Sequence, residues 1–194
     1  MPFIFKRLAL VMSIAAAFAA DKEVPFRAGA AATYSHQTSE QITIGVDACA
    51  SGDKIKAAFG KLDPNQYGIL PVLVVIQNDS GKTLRLSGLK VEYVGPGNRR
   101  VEATPAREVR YLNGVNVPYG PKPPIKLGGK KNPLDAWEIE GRAFAAESLP
   151  SGNSASGFFY FQTAYHPSAT IYISGVREAA SGKELLYFEV PVSK

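Results

Sequence analysis

The sequence predicts an all-β fold: an antiparallel β-sandwich with one or two short helices. Three observations point there. Residues 69–94 hold a dense apolar run, Leu70 to Ile76, then the turn residues Gln77 to Lys82, then a second β-type run. Gly157 to Thr163 is aromatic, and Thr170 to Ser174 and Lys183 to Val190 alternate apolar with polar residues, as half-buried strands do. Clusters of Gly, Pro, Asn and Ser separate the runs at about ten-residue spacing, which suits a sandwich of about six to eight short strands.

The N-terminus reads as a signal peptide over residues 1–19. Lys6 and Arg7 precede the apolar run Leu8 to Ala19, Ala17-Phe18-Ala19 places small residues two apart, and the charged Asp21, Lys22 and Glu23 follow. The run is shorter than the ~18–20 residues of a bilayer span, so no stable membrane span is expected after cleavage. Export to the periplasm or the outside follows. Without Lys6 and Arg7 the chain carries 20 basic and 17 acidic residues, a net +3. That modest charge, with no clustered basic and aromatic face, argues against a nucleic-acid partner. The remaining chain, about 175 residues, suffices for one domain with its own core. Cys49 is the only cysteine, so no internal disulfide forms. Its ordinary role is a small buried side chain beside Val46 and Ala48; a free thiol or an intermolecular bridge is the other role.

Residues 20–40 are small and polar without periodicity, which predicts a flexible N-terminal arm, and the domain then spans 41–194. Ile42 to Val46 alternates as a half-buried first strand. Ile55, Phe59 and Leu62 fall on one helical face, with Ser51 as N-cap and Gly60 as stop, so a short helix lies across the end of the sandwich. Leu70 to Ile76 is apolar at every position but Pro71, which implies burial on both faces, the second one in the core or under the helix. Residues 69–94 then read as two neighbouring core strands, with 157–190 as the other half of the sandwich. Gly95-Pro96-Gly97-Asn98 closes the second run, and Arg99 to Thr104 returns as a hairpin. Ser-Gly-Lys recurs at Ser80-Gly81-Lys82 and Ser181-Gly182-Lys183, which is repeated turn chemistry.

The segment 113–133 departs from this grammar. It holds five Pro, four Gly and four Lys, and no acidic residue. Loops longer than about 12–15 residues without structure of their own are usually functional or disordered. Its bland reading is a solvated insertion stiffened towards polyproline II. Its functional reading is a partner-binding surface of Tyr119, Lys122, Lys126, Lys130 and Lys131 for an envelope protein or an anionic polymer. Asp135 to Ala146 is ambiguous between a helix and a strand, and a strand or irregular start running into a short turn is expected.

The strand Leu73-Val74-Val75-Ile76-Gln77-Asn78, and Leu149-Pro150-Ser151-Gly152 leading through Ser156-Gly157 into Phe158 to Phe161, carry a likeness to a family. Over about residues 70–192 the chain resembles small exported bacterial immunoglobulin-like domains of unknown function. The resemblance implies an immunoglobulin-like sandwich and export, and it carries across no catalytic residue. The chain departs from antibody-type domains in lacking paired cysteines and in carrying the 113–133 insertion.

The sequence offers no catalytic, cofactor-binding or metal site. His36 and His166 are isolated, where a His-ligated metal needs several ligands at close spacing. No Gly-x-Ser-x-Gly elbow supports a Ser-His-Asp triad, and Gly128-Gly129-Lys130-Lys131 lacks the strand and spacing of a phosphate loop. Glu138 and Glu140 would share a strand face, as a glycosidase pair does, which gives a small secreted hydrolase as the alternative function. Tyr160, Tyr172 and Tyr187 would form a binding strip if their strands adjoin and are exposed; ordinary cross-strand packing is the competing role. The leading expectation is a non-catalytic binding or structural module of the cell envelope. A third is an accessory subunit that pairs with a partner through an edge strand.

Overall fold

A computed structural model describes residues 26–112, 132–185 and 187–193. The expected signal peptide 1–19, residues 20–25 of the arm and residues 113–131 of the insertion lie outside the described residues. In chain order the elements are β1 (Ser35–Ser39), β2 (Ile42–Ala48), α1 (Gly52–Phe59), β3 (Leu70–Asn78), β4 (Leu84–Arg85), β5 (Lys90–Gly95), β6 (Arg99–Glu102) and α2 (Ala106–Val109). After the insertion come α3 (Trp137–Gly141), β7 (Ser148–Leu149), β8 (Asn153–Phe161), β9 (Thr170–Ser174), β10 (Arg177–Glu178) and β11 (Phe188–Pro191). All strand pairings between these elements are antiparallel. The fold is therefore dominated by antiparallel sheet, with a few short helices.

Two four-stranded sheets form the body, ordered β1-β2-β3-β8 and β11-β9-β5-β6, and a small sheet β10-β4-β7 joins them. The period-two pattern decides which side chains face inward. Ile44, Val46, Val74 and Ile76 of the first sheet meet Val91, Tyr93, Ile171, Ile173, Phe188 and Val190 of the second in one buried core. Burying each such side chain contributes about 1.5–3 kcal/mol.

The other face of the first sheet is covered as well. Leu73, Val75, Phe158 and Tyr160 pack against Ile55, Ala58 and Phe59 of α1, Val109 of α2 and Ile139 of α3. This second core explains the unbroken apolar run of β3, of which seven of nine residues in a row, and then Asn78, are buried. The helix α1 begins where the sequence places it: Ser51 Oγ accepts from Lys54 N–H at 3.4 Å, and Gly60 ends it at φ 63°. It lies on the face of the sheet, however, and not across the end of the sandwich. Beside it, the turn Ala31–Thr33 sits so close to β2 that a Cβ on Gly45 would stand 2.3 Å from Ala31 O.

Further sequence expectations change. Ser35–Ser39, assigned to the arm, is the edge strand β1; its hairpin to β2 turns on Glu40 and Gln41, both at positive φ (48° and 62°) without the usual Gly or Asn. Residues 69–94 are not a strand pair, since β3 pairs with β2 and β8 while β5 belongs to the opposite sheet. Correspondingly, 157–190 is not a separate half: β8 joins β3, and β9 and β11 join β5. Finally, Asp135 to Ala146 contains the one-turn helix α3, and β11 starts only at Phe188.

Candidate functional site

The two sheets splay apart where β8 and the β5–β6 hairpin meet, leaving a cleft of about 650 Å³. The register of β8 creates its floor. Phe158 and Tyr160 turn towards the helices, so Phe159 turns towards the opposite sheet, where it stacks on Phe144 with ring centroids 5.4 Å apart at 24°. Leu89, Val91 and Ala103 complete the apolar lining, and Lys90, Glu92, Glu102, Thr104 and Ser174 lie along its rim.

Backbone hydrogen bonds fix this wall. Phe158 N–H donates to Arg142 O (2.9 Å), Phe144 N–H to Phe158 O (3.1 Å) and Thr104 N–H to Tyr160 O (2.7 Å). The outer edge of β8 is thereby occupied by two crossing segments. On the other side, Glu92 and Glu102 are direct partners across β5 and β6. Like charges so placed repel, and Arg100 Nη1 relieves them by donating to Glu92 Oε2 at 2.7 Å. The sequence reading passed over this carboxylate pair, although the Gly95-Pro96-Gly97-Asn98 turn sets the register that brings it together.

Among the described residues, no hydroxyl lining the cleft hydrogen-bonds a histidine or a carboxylate, and no group of three or more His, Cys, Asp or Glu is placed to hold a metal ion.

The sequence-derived candidates are distributed elsewhere. Tyr119, Lys122, Lys126, Lys130 and Lys131 lie outside the described residues. The flanks of their segment are tied together, because Asn132 Nδ2 donates to Arg110 O at 2.5 Å and Arg110 Nη1 to Asp135 Oδ1 at 2.8 Å. Glu138 and Glu140 do not share a strand face. They sit two apart on α3, about 200° around the helix axis, and Glu140 forms an ion pair with Arg110. That geometry removes the carboxylate pair on which the hydrolase reading rested.

The tyrosine strip is not formed either. Tyr160 is buried, its hydroxyl donating to Ile139 O at 2.7 Å, and burial pushes its pKa up. Tyr172 and the exposed Tyr187 do adjoin on the outer face of the second sheet, stacked at 5.1 Å, with the Arg100 guanidinium 4.9 Å from the Tyr172 ring centre. Tyr187 stands just before β11, so the stack packs a loop residue against β9. His36 and His166 are exposed and separate; His166 Nδ1 lies 2.9 Å from Ser168 Oγ within its own turn. Cys49 is buried in the helical-side core.

No protein-family model and no curated protein matches the chain. Among solved structures, it is similar to the 1.5 Å crystal structure of MPT63, a secreted protein from Mycobacterium tuberculosis. The identity is 11%, the TM-score 0.31, and the match covers 83% of this chain and 95% of that one. An overlap at that score assigns neither family nor function. Among the described residues, no helix is long and apolar enough to cross a membrane.

Proposed function

We propose that the chain is an exported, non-catalytic binding module of the cell envelope, built as an immunoglobulin-like sandwich, whose ligand site is the cleft between the sheets. The observation that carries the reading is the Phe144–Phe159 stack at the base of a 650 Å³ cleft with polar groups around it. Clefts of about 300–1,000 Å³ with apolar linings and a few polar groups are where small molecules bind. The N-terminal basic and apolar pattern with its small-residue end supports export. Two antiparallel sheets sharing one core support the sandwich class.

A neutral apolar fluorophore, N-phenyl-1-naphthylamine, tests the cleft. Its emission rises saturably with the wild-type protein and fails to rise with Ala103→Trp, which fills the space. Equal signals from the two proteins, or none from either, overturn the assignment. Mass spectrometry of the exported protein should find an N-terminus near Ala20; an intact Met1 in the membrane fraction contradicts export.

The lysine segment is proposed as a second contact for an envelope protein or an anionic polymer, on its composition alone. Changing Lys122, Lys126, Lys130 and Lys131 to Ala together should remove partners crosslinked in envelope fractions. An unchanged set of partners removes the proposal.

A further inference from the structure

Among the described arginines, Arg110 and Arg142 are the partly buried ones. Their surroundings differ in one decisive way. Arg110 has two carboxylates, Asp135 and Glu140. Arg142 has none among the described residues, and its buried Nη1 has no hydrogen-bond partner. The Glu138–Arg142 pair that helical spacing allows does not form. A guanidinium stays charged at any ordinary pH, and withdrawing part of such a charge from water without a counter-ion is unfavourable. The faces of Phe59 and Trp137, 5.9 and 5.5 Å from the guanidinium carbon, repay part of that cost. They also hold the group in place, while supplying no acceptor for its N–H groups.

Arg142 lines a pocket of about 440 Å³ on the helical side of the first sheet, with Phe26, Arg27, Leu73, Ser156 and Phe158. Ala143 and Phe158 form the wall between this pocket and the inter-sheet cleft, which they also line. Both charged side chains of the pocket are cationic. Its apolar part is defined by Phe26 and Phe158, whose rings meet at 5.2 Å. A planar fork of N–H donors matches a carboxylate with two parallel hydrogen bonds, and the aromatic wall beside it suits an apolar body attached to that carboxylate. We infer that this pocket is an organic-anion site in which Arg142 receives the carboxylate of a small ligand with an apolar group, and Arg27 adds a second positive charge at the entrance.

The test titrates the purified chain by calorimetry with 4-phenylbutyrate, its neutral amide 4-phenylbutyramide, and inorganic phosphate. Saturable binding of the carboxylate is expected, with the amide at least tenfold weaker and phosphate weaker than the carboxylate. Arg142→Gln should lose at least tenfold in carboxylate affinity while leaving the already weak amide unchanged. Arg27→Gln changes an exposed side chain, so it reads the site without disturbing the fold, and a two- to fivefold loss is expected. Carboxylate and amide binding alike, full affinity in both variants, phosphate binding as tightly as the carboxylate, or no saturable binding each overturns the assignment.

Discussion

Phe144 Cα stands where a side chain on Gly157 would begin: a Cβ at that glycine would lie 2.3 Å from it and 2.5 Å from Phe144 N. The close approach lets residues 142–144 run along the edge of β8 and bring Phe144 onto Phe159. Gly157→Ala must therefore push this segment outward. An overpacked core site costs about 1–3 kcal/mol, and here the displacement also separates the two rings that floor the cleft. A lower thermal midpoint together with weaker probe binding is expected; a variant with wild-type values for both shows that the segment yields freely.

Asn78 is the polar hub of the small sheet. It is fully buried, its Nδ2 donates to Lys82 O (2.7 Å) and Leu149 O (2.9 Å), and its Oδ1 accepts from Ser80 N (3.2 Å) and Ser80 Oγ (2.6 Å). Asn78→Ala strands the buried Leu149 O and leaves Lys82 O only the 3.4 Å hydrogen bond from Ser80 Oγ, and each buried unsatisfied group costs about 1–3 kcal/mol. A loss of about 2–4 kcal/mol in urea unfolding follows. Asn78→Asp should be no better, since it removes both donor hydrogens and sets a carboxylate against carbonyl oxygens. A loss under about 0.5 kcal/mol in either variant, the range of an ordinary surface change, contradicts the hub.

Residues whose local pattern agrees with their fate were legible. The alternation in β2 and β9, the Ser51 and Gly60 limits of α1 and the glycine hairpin after β5 all follow from neighbours a few positions away. What escaped depends on distant partners. Ser-His-Gln-Thr-Ser has no apolar period; it is a strand because β2 offers it hydrogen bonds, reinforced where Thr38 and Thr43 hydroxyls meet at 2.9 Å. The chain crosses between sheets after β3, and no residue in that turn announces it. The cleft exists because Phe144 and Phe159, 15 positions apart in the numbering, stack across a β8 edge that only the tertiary fold defines. Glu138 and Arg142 stand at helical i, i+4 spacing, yet only the folded chain shows Arg142 without a carboxylate among the described residues.

The two Ser-Gly-Lys turns converge on Glu178. Lys82 Nζ reaches its Oε1 at 2.5 Å and Ser181 Oγ donates to its Oε2 at 2.7 Å. The Lys82 hydrogen bond, then that from Ser181, holds the Glu178 carboxyl below its usual 4.5, and the same contact raises Lys82 above its usual 10.5. A depressed carboxyl pKa contributes stability that is present above the unfolded value and lost as pH falls through the folded one; a raised lysine pKa contributes stability present below its unfolded value and lost as pH rises through the folded one. Stability from this pair should hold between these limits and decline on both sides. Glu178→Gln should flatten the acid decline in urea midpoints measured below pH 4.5. A variant curve parallel to wild type there excludes the linkage.

Cys49 completes the helical-side core, and burial, with Asp47 adding to it, pushes its thiol up to about 12. Only the thiolate attacks alkylating reagents, so at pH 8 its reactive fraction is on the order of 10⁻⁴. Iodoacetamide should leave the native protein unlabelled over hours and label it promptly in urea, read by intact mass. Cys49→Ala should cost about 1 kcal/mol for the lost packing. Cys49→Ser should cost more, about 1–3 kcal/mol, because it sets a hydroxyl among apolar side chains. Prompt native labelling, or a serine variant as stable as wild type, contradicts an inert thiol and places Cys49 where reagents and water reach it.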